Sequence, residues 1–125
     1  MSIKSSSGKA KARLHQQWSA SMLIEEFNLE QGDAVSCPLG SPGEDVILSP
    51  HAKRVLGISV ECKARKDFDP KVWLKQAERN ADGRTPVVFW KPHGMGPEQS
   101  FVIMRNQDFI TLLKAAKGGK DDQGV

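Results

Sequence analysis

The chain has no tyrosine, two cysteines and an aromatic content of 6%. So few rings in 125 residues leave material for one modest core, consistent with help from an oligomer interface. Two cysteines, Cys37 and Cys62, are too few for a disulfide framework or a zinc site and read as reduced core thiols. There is no apolar run of the roughly eighteen residues that a membrane span needs, no secretory signal pattern and no internal repeat. These absences lead us to expect a soluble, cytoplasmic protein with no membrane partner.

Acid is also missing where base is present. Residues 1–20 carry Lys4, Lys9, Lys11 and Arg13 with no carboxylate, and residues 51–66 carry Lys53, Arg54, Lys63, Arg65 and Lys66 against Glu61 alone. The net charge of +3 and pI of about 9.0 are compatible with nucleic acid without demanding it. The clustering says more, because each Lys or Arg that neutralises a phosphate releases a counterion. Lys9, Lys11, Arg13, Lys53, Arg54, Arg65 and Lys66 are therefore candidate DNA contacts. The Gly40-Ser41-Pro42-Gly43 turn, with Ser41 at its centre, is another, through its backbone N–H groups.

The pattern of elements predicts one domain over 11–117, a flexible basic arm over 1–10 and a disordered tail over 118–125. A first helix starts near Lys9 to Lys11 and runs to about Asn28, with Leu14, Trp18 and Met22 on its inner face. Strands follow at 34–37, 44–48 and 57–65, with a turn or short helical turn at 49–54. Asp69-Pro70 is an N-cap and first helical residue for a helix over 70–81. Apolar strands at 85–91 and 101–104 precede a last helix through Phe109, Ile110, Leu112 and Leu113. The order is αβββαββα: a mixed central sheet of about five strands flanked by helices. The first three strands suit an antiparallel meander, and the third and fourth a parallel crossover. His51 and His93 lie in loops beside proline and read as surface histidines.

The chemistry concentrates at Asp45 and at Glu61-Cys62-Lys63. Ile58, Val60 and Cys62 alternate with Ser59, Glu61 and Lys63, so Glu61 and Lys63 leave the same face of a strand. Val46, Ile47 and Leu48 are β-formers, and pairing of their strand with the next brings Asp45 to Glu61. Two carboxylates sharing a site repel, and a divalent cation relieves the cost. A lysine beside them can polarise water or hold a phosphate. These residue types point to metal-assisted phosphodiester hydrolysis.

Asp45, after the turn Gly43-Glu44, and Glu61-x-Lys63 on the next strand resemble the signature of the PD-(D/E)xK nuclease superfamily. The element order resembles its restriction-endonuclease-like core, and size and order are closest to the small Holliday-junction resolvases of phages and archaea. The resemblance implies an endonuclease acting on branched or four-way-junction DNA, in the host cytoplasm if phage-encoded. It implies Mg²⁺, with Mn²⁺ as a substitute, held by Asp45, Glu61 and the Cys62 carbonyl, with Lys63 on the water or phosphate. Gln76, within Trp73-Leu74-Lys75-Gln76-Ala77, matches a glutamine that several branches aim into the site. Where resolvases carry an acid on the first helix this chain has glutamine. Gln17 is the residue we assign there; Glu25 and Glu26 are the other candidates.

A junction is resolved by two nicks, and a chain this small carries one Asp45–Glu61–Lys63 cluster. A homodimer is therefore expected, with its interface on the fourth and fifth strands and last helix, where Val87, Val88, Phe89 and Trp90 run unbroken. The alternatives are a nuclease of the same fold acting on ends, nicks or mismatches, and a non-catalytic DNA-binding protein of this fold.

Overall fold

From Ser2 to Glu26 the chain has no proline and many good helix formers, and it makes one helix, α1 (Ser2–Glu26). The computed structural model describes residues 2–124, with side chains for 8–118. The expected arm and tail fall at these ends. The final helix, α4, spans Asn106–Gly124, and the side chains of 1–7 and 119–125 lie outside the described residues. Asn28, at φ 55°, takes the left-handed conformation that ends α1.

The buried face of α1 is not the expected one. His15, Gln16, Ser19, Ala20 and Leu23 face inward, whereas Leu14 is 63% exposed and Trp18 and Met22 are half-buried. Ser19 and Ala20 are small enough to let the helix backbone approach the strands. Polar groups on this face bond backbone carbonyls: Ser19 Oγ donates to the His15 carbonyl at 2.8 Å, and His15 Nε2 bonds the Phe89 carbonyl at 2.8 Å, while His15 Nδ1 has no partner. Hydrogen bonding, rather than hydropathy, sets the helix rotation.

Two short strands, β1 (Ala34–Ser36) and β2 (Val46–Leu48), pair antiparallel. The turn after them is a full helix, α2 (Pro50–Leu56), so His51 is helical and exposed rather than in a loop. Ser49 Oγ accepts from the Ala52 N–H, Pro50 opens the helix, and Gly57 at φ 62° closes it. β3 (Ile58–Ala64) then runs parallel to β4 (Thr85–Lys91) through the crossover helix α3 (Pro70–Arg79). Asp69 takes the N-cap position of α3, but its side chain makes no capping bond. β5 (Phe101–Ile103) adds antiparallel to β4.

The architecture is mixed α+β with four helices and two sheets, β1-β2 and β3-β4-β5, rather than one hydrogen-bonded five-stranded sheet. Where β2 meets β3, the Asp45 N–H bonds the Val60 carbonyl at 3.1 Å. The next donor, the Cys62 N–H, goes to the Asp45 side chain. A side chain thus takes the place of the next rung, and the ladder stops.

One core lies between α1 and the strands, from Leu23, Val46, Leu48, Val60, Val87 and Phe89. A second lies under α3, from Trp73, Leu74, Ala77 and Val88. Val87, Val88 and Phe89 are therefore consumed within the chain, because β4 is the central strand of its sheet and is covered on both faces. They cannot serve the expected intersubunit surface. Exposed apolar side chains remain on β5 (Phe101, Val102) and α4 (Phe109, Ile110, Leu112, Leu113). Phe68, on the loop before α3, packs on Trp90 at 4.6 Å between ring centroids, and the Trp90 indole N–H holds the Arg65 carbonyl at 3.0 Å. Among the described residues no helix is long and apolar enough to cross a membrane.

Glu44 is fixed by a paired contact with Arg84. The guanidinium NH1 and NH2 reach both Glu44 oxygens at 2.7 Å, and NH1 also donates to the Ile58 carbonyl at 2.8 Å. This clamp ties the approach to β2 to the start of β3 and β4. Arg84→Ala leaves a largely buried carboxylate without its partner and should lower stability by about 2–3 kcal/mol. A urea midpoint unchanged from the parent would show that the clamp contributes nothing.

Candidate active site

The alternation along β3 places Glu61 and Lys63 on one face, and the Lys63 ammonium sits 3.3 Å from Glu61 Oε2. That face is the α3 side: Ser59, two residues earlier, donates to the Asn80 carbonyl at the end of α3. Glu61 is consequently 7% exposed. Asp45 arrives from the other sheet, and its Oδ2 accepts the Cys62 N–H at 2.7 Å. A strand residue's N–H and C=O leave by one edge and successive residues alternate edges, so the Cys62 carbonyl faces the same side as the Cys62 N–H and the Val60 carbonyl. Asp45, Glu61 and Cys62 line one cleft.

The electrostatics follow from burial. Desolvation pushes the Glu61 carboxyl up to about 7, with the neighbouring Asp45 adding to the shift and Lys63 opposing it. Burial also raises Asp45, against the stabilising Cys62 N–H, and the two carboxyl groups share a hydrogen bond. Burial and mutual repulsion thus disfavour the doubly charged pair, a cost that an added cation would relieve. The Cys62 thiol is buried and raised by desolvation, so it is an inert core group rather than a nucleophile.

These groups line a cleft of about 530 Å³ together with Arg65, Lys66 and, from α1, Gln16. An adjoining recess of about 230 Å³ shares Lys63 and Arg65 and is lined by Gln76, whose Oε1 is buried without a partner. The structure thus gathers Asp45, Glu61, Cys62, Lys63, Arg65, Lys66 and Gln76 about one place. Lys9, Arg13, Ser41, Lys53 and Arg54 do not line the cleft, and Lys11 lines a separate cavity. His93 is exposed on the cleft wall.

Gln17 is not at the site. It is exposed and lines a cavity on the other flank of α1, and Gln16 takes its place, 6% exposed. The one-residue error follows from the helix rotation: a face chosen by Leu14 and Trp18 selects Gln17, and the face that is buried selects Gln16. Ser36 Oγ donates to Gln16 Oε1 at 3.0 Å, which leaves the amide N–H groups for the cleft. The strand position of Ser36, opposite α1, is the signal that could have found it. Glu25 and Glu26 are exposed at the far end of α1. Among the described residues no group of three or more His, Cys, Asp or Glu side chains is assembled for a metal ion. The carboxylates that line the cleft are Asp45, Glu61 and, exposed at its edge, Asp67.

No family model matches the chain, and neither curated proteins nor solved structures show a match.

The raised carboxyl pair makes a pH prediction. The folded state favours protonated Glu61, so its contribution to stability is complete below about pH 4.5 and is lost as pH rises through about 7. In chelator, the melting temperature should fall across that window. Glu61→Gln should flatten the fall, because a neutral amide has no proton to lose. A wild-type profile no steeper than that of Glu61→Gln would refute the raised Glu61 carboxyl.

Proposed function

We propose that the cleft is the active site of a Mg²⁺-dependent endonuclease that hydrolyses phosphodiester bonds in branched DNA, in the manner of the PD-(D/E)xK nucleases, and that it resolves four-way junctions. The observation that carries this reading is the pair of carboxylates, Asp45 and Glu61, lining one cleft with Lys63 3.3 Å from Glu61 and edged by Arg65 and Lys66. On this reading the two sheets act as one restriction-endonuclease-like layer, joined at the Asp45–Val60 backbone bond.

The donor set suits the ion. Mg²⁺ prefers hard oxygen ligands and keeps several waters, so Asp45, Glu61 and the Cys62 carbonyl are sufficient protein ligands, and Mn²⁺ can substitute. When bound, the ion supplies charge neutralisation at the phosphate and a more acidic water. The remaining work falls to the chain. Lys63 leaves Glu61 to hold a non-bridging phosphate oxygen or the attacking water. The Gln16 amide donates to phosphate from the α1 side, and the Gln76 carbonyl oxygen, now without a partner, accepts from water or from Lys63. Arg65 and Lys66 anchor the backbone on either side of the cut. None of these groups reads a base, in keeping with selection by DNA shape.

Cleavage of a labelled four-way junction should require Mg²⁺ or Mn²⁺. Asp45→Asn and Glu61→Gln should abolish it while leaving DNA binding intact or tighter, since each removes a negative charge near phosphate. Lys63→Ala should lose roughly 10²-fold in rate, the scale of one preorganised electrostatic group. Full activity in either carboxylate variant would sink the assignment. Cleavage of linear but not of circular junction-bearing DNA would favour an end-dependent nuclease.

Paired nicks need two such clefts. With β4 buried, a homodimer surface is left to β5 and α4, where Phe101, Val102, Phe109, Ile110, Leu112 and Leu113 are each at least 40% exposed. Sedimentation at micromolar concentration should give about twice 13.8 kDa. Leu112→Glu with Leu113→Glu should give the monomer and convert paired cuts to single nicks. Paired cuts by a strict monomer would refute the dimer.

A further inference from the structure

We propose that the cavity on the outer flank of α1 receives an unpaired nucleobase from the DNA strand whose phosphate occupies the carboxylate cleft; this rests on the nuclease reading above. The cavity measures about 450 Å³ and is walled by Leu14, His15 and Trp18, with Lys11 and Lys91 among its lining residues. Its volume lies within the range of small-ligand sites.

Three features specify the occupant. Trp18 and Leu14 offer apolar surface to a flat ring. His15 is 2% exposed and bonds the Phe89 carbonyl through Nε2 at 2.8 Å, so that nitrogen carries the proton and Nδ1 is an acceptor. Nδ1 is buried and has no partner. Burial lowers the basicity of the ring, which keeps that lone pair free. Lys11 and Lys91 bring positive charge. A ring with N–H donors, tethered to an anion, satisfies all three, and a nucleotide is such a molecule.

Continuity with the cleft selects a nucleotide of the substrate over a free one. On α1, Ala12 and Gln16 line the cleft while Lys11 and His15 line this cavity; from the end of β4 onward, His93 lines the cleft while Lys91 and Pro97 line the cavity. The two depressions are neighbours across one helix. A strand crossing α1 can leave a phosphate beside Lys63 and turn the adjacent base onto Trp18. A base that is paired and stacked in a duplex presents neither face, so the cavity selects DNA that is unpaired or easily opened at the branch.

The test uses the full chain in chelator, with fluorescence anisotropy on three labelled duplexes: one fully paired, one with a single bulged nucleotide, and one with an abasic residue at the bulge. The base-bearing bulge should bind about tenfold tighter than the abasic one, the scale of one base stacked on an aromatic side chain. Trp18→Leu should erase that difference without changing affinity for the abasic bulge, and Trp18→Phe should retain most of it. Circular dichroism establishes that each variant is folded. If Trp18→Leu does not fold, 2-aminopurine at the bulge of the parent complex reads the same contact, through quenching on binding. Equal affinity of the parent for base and abasic bulges, an equal loss by Trp18→Leu on all three DNAs, or an unquenched 2-aminopurine would overturn the proposal. Discrimination of the bulges by a chain that never cuts with Mg²⁺ would uphold the cavity and sink the nuclease; junction cleavage without discrimination would sink the cavity alone.

Discussion

The structure turns on what Asp45 does with its two ends. Its backbone N–H reaches the Val60 carbonyl, and its carboxylate takes the Cys62 N–H. The first bond joins the two sheets; the second ends the join. A carboxylate that replaces a rung of the ladder is held at the strand edge without depending on side-chain packing. Its position also forces it beside Glu61. The arrangement costs stability, because desolvated carboxylates repel. The Arg84 clamp on Glu44 offsets part of that cost one residue away. Adjacent acids are thus treated differently: Glu44 is paired with a guanidinium, and Asp45 is held by a backbone N–H.

The residues whose placement depends on local periodicity were legible in the sequence. Alternation on β3 placed Glu61 with Lys63, and the crossover through α3 predicted the parallel β3–β4 pair, since both depend on strand period and helix length alone. Asp45 was legible too, because a turn rich in glycine and proline led into β-branched residues. What escaped the sequence was decided by partners distant along the chain. The face of α1 is set by a bond from His15 to Phe89 and by room for small side chains, neither visible as hydropathy, and with it went Gln16. The division of the sheet depends on a side chain competing for a backbone donor. Whether the apolar run at 87–89 covers a core or a partner depends on strand order, and β4 proved central.

The inner part of the cleft holds a carboxyl pair, a lysine and an amide from α1, with Arg65, Lys66 and Asp67 at its edge. The amide matters here for what it cannot do. An acid at Gln16 would add a further negative group beside two carboxyl groups whose charged forms burial already disfavours. An amide contributes a donor and leaves the balance unchanged. The aromatic packing of Phe68 on Trp90, with the indole bond to the Arg65 carbonyl, positions the loop that carries Arg65, Lys66 and Asp67 at the cleft through rings and a backbone carbonyl.

The clamp between Glu44 and Arg84 also has a consequence in time. The contacts that complete the cleft are far apart along the chain: Cys62 to Asp45, Arg84 to Glu44, His15 to Phe89. Contacts of such separation close late, after local helices have formed. During synthesis the carboxylates have no fixed geometry until the chain through Lys91 has emerged and β4 has docked beside β3. A fragment ending before Arg84 carries every residue of the Asp45–Glu61–Lys63 cluster yet lacks the strand that assembles it. Such a fragment holds the residues without the geometry that joins them.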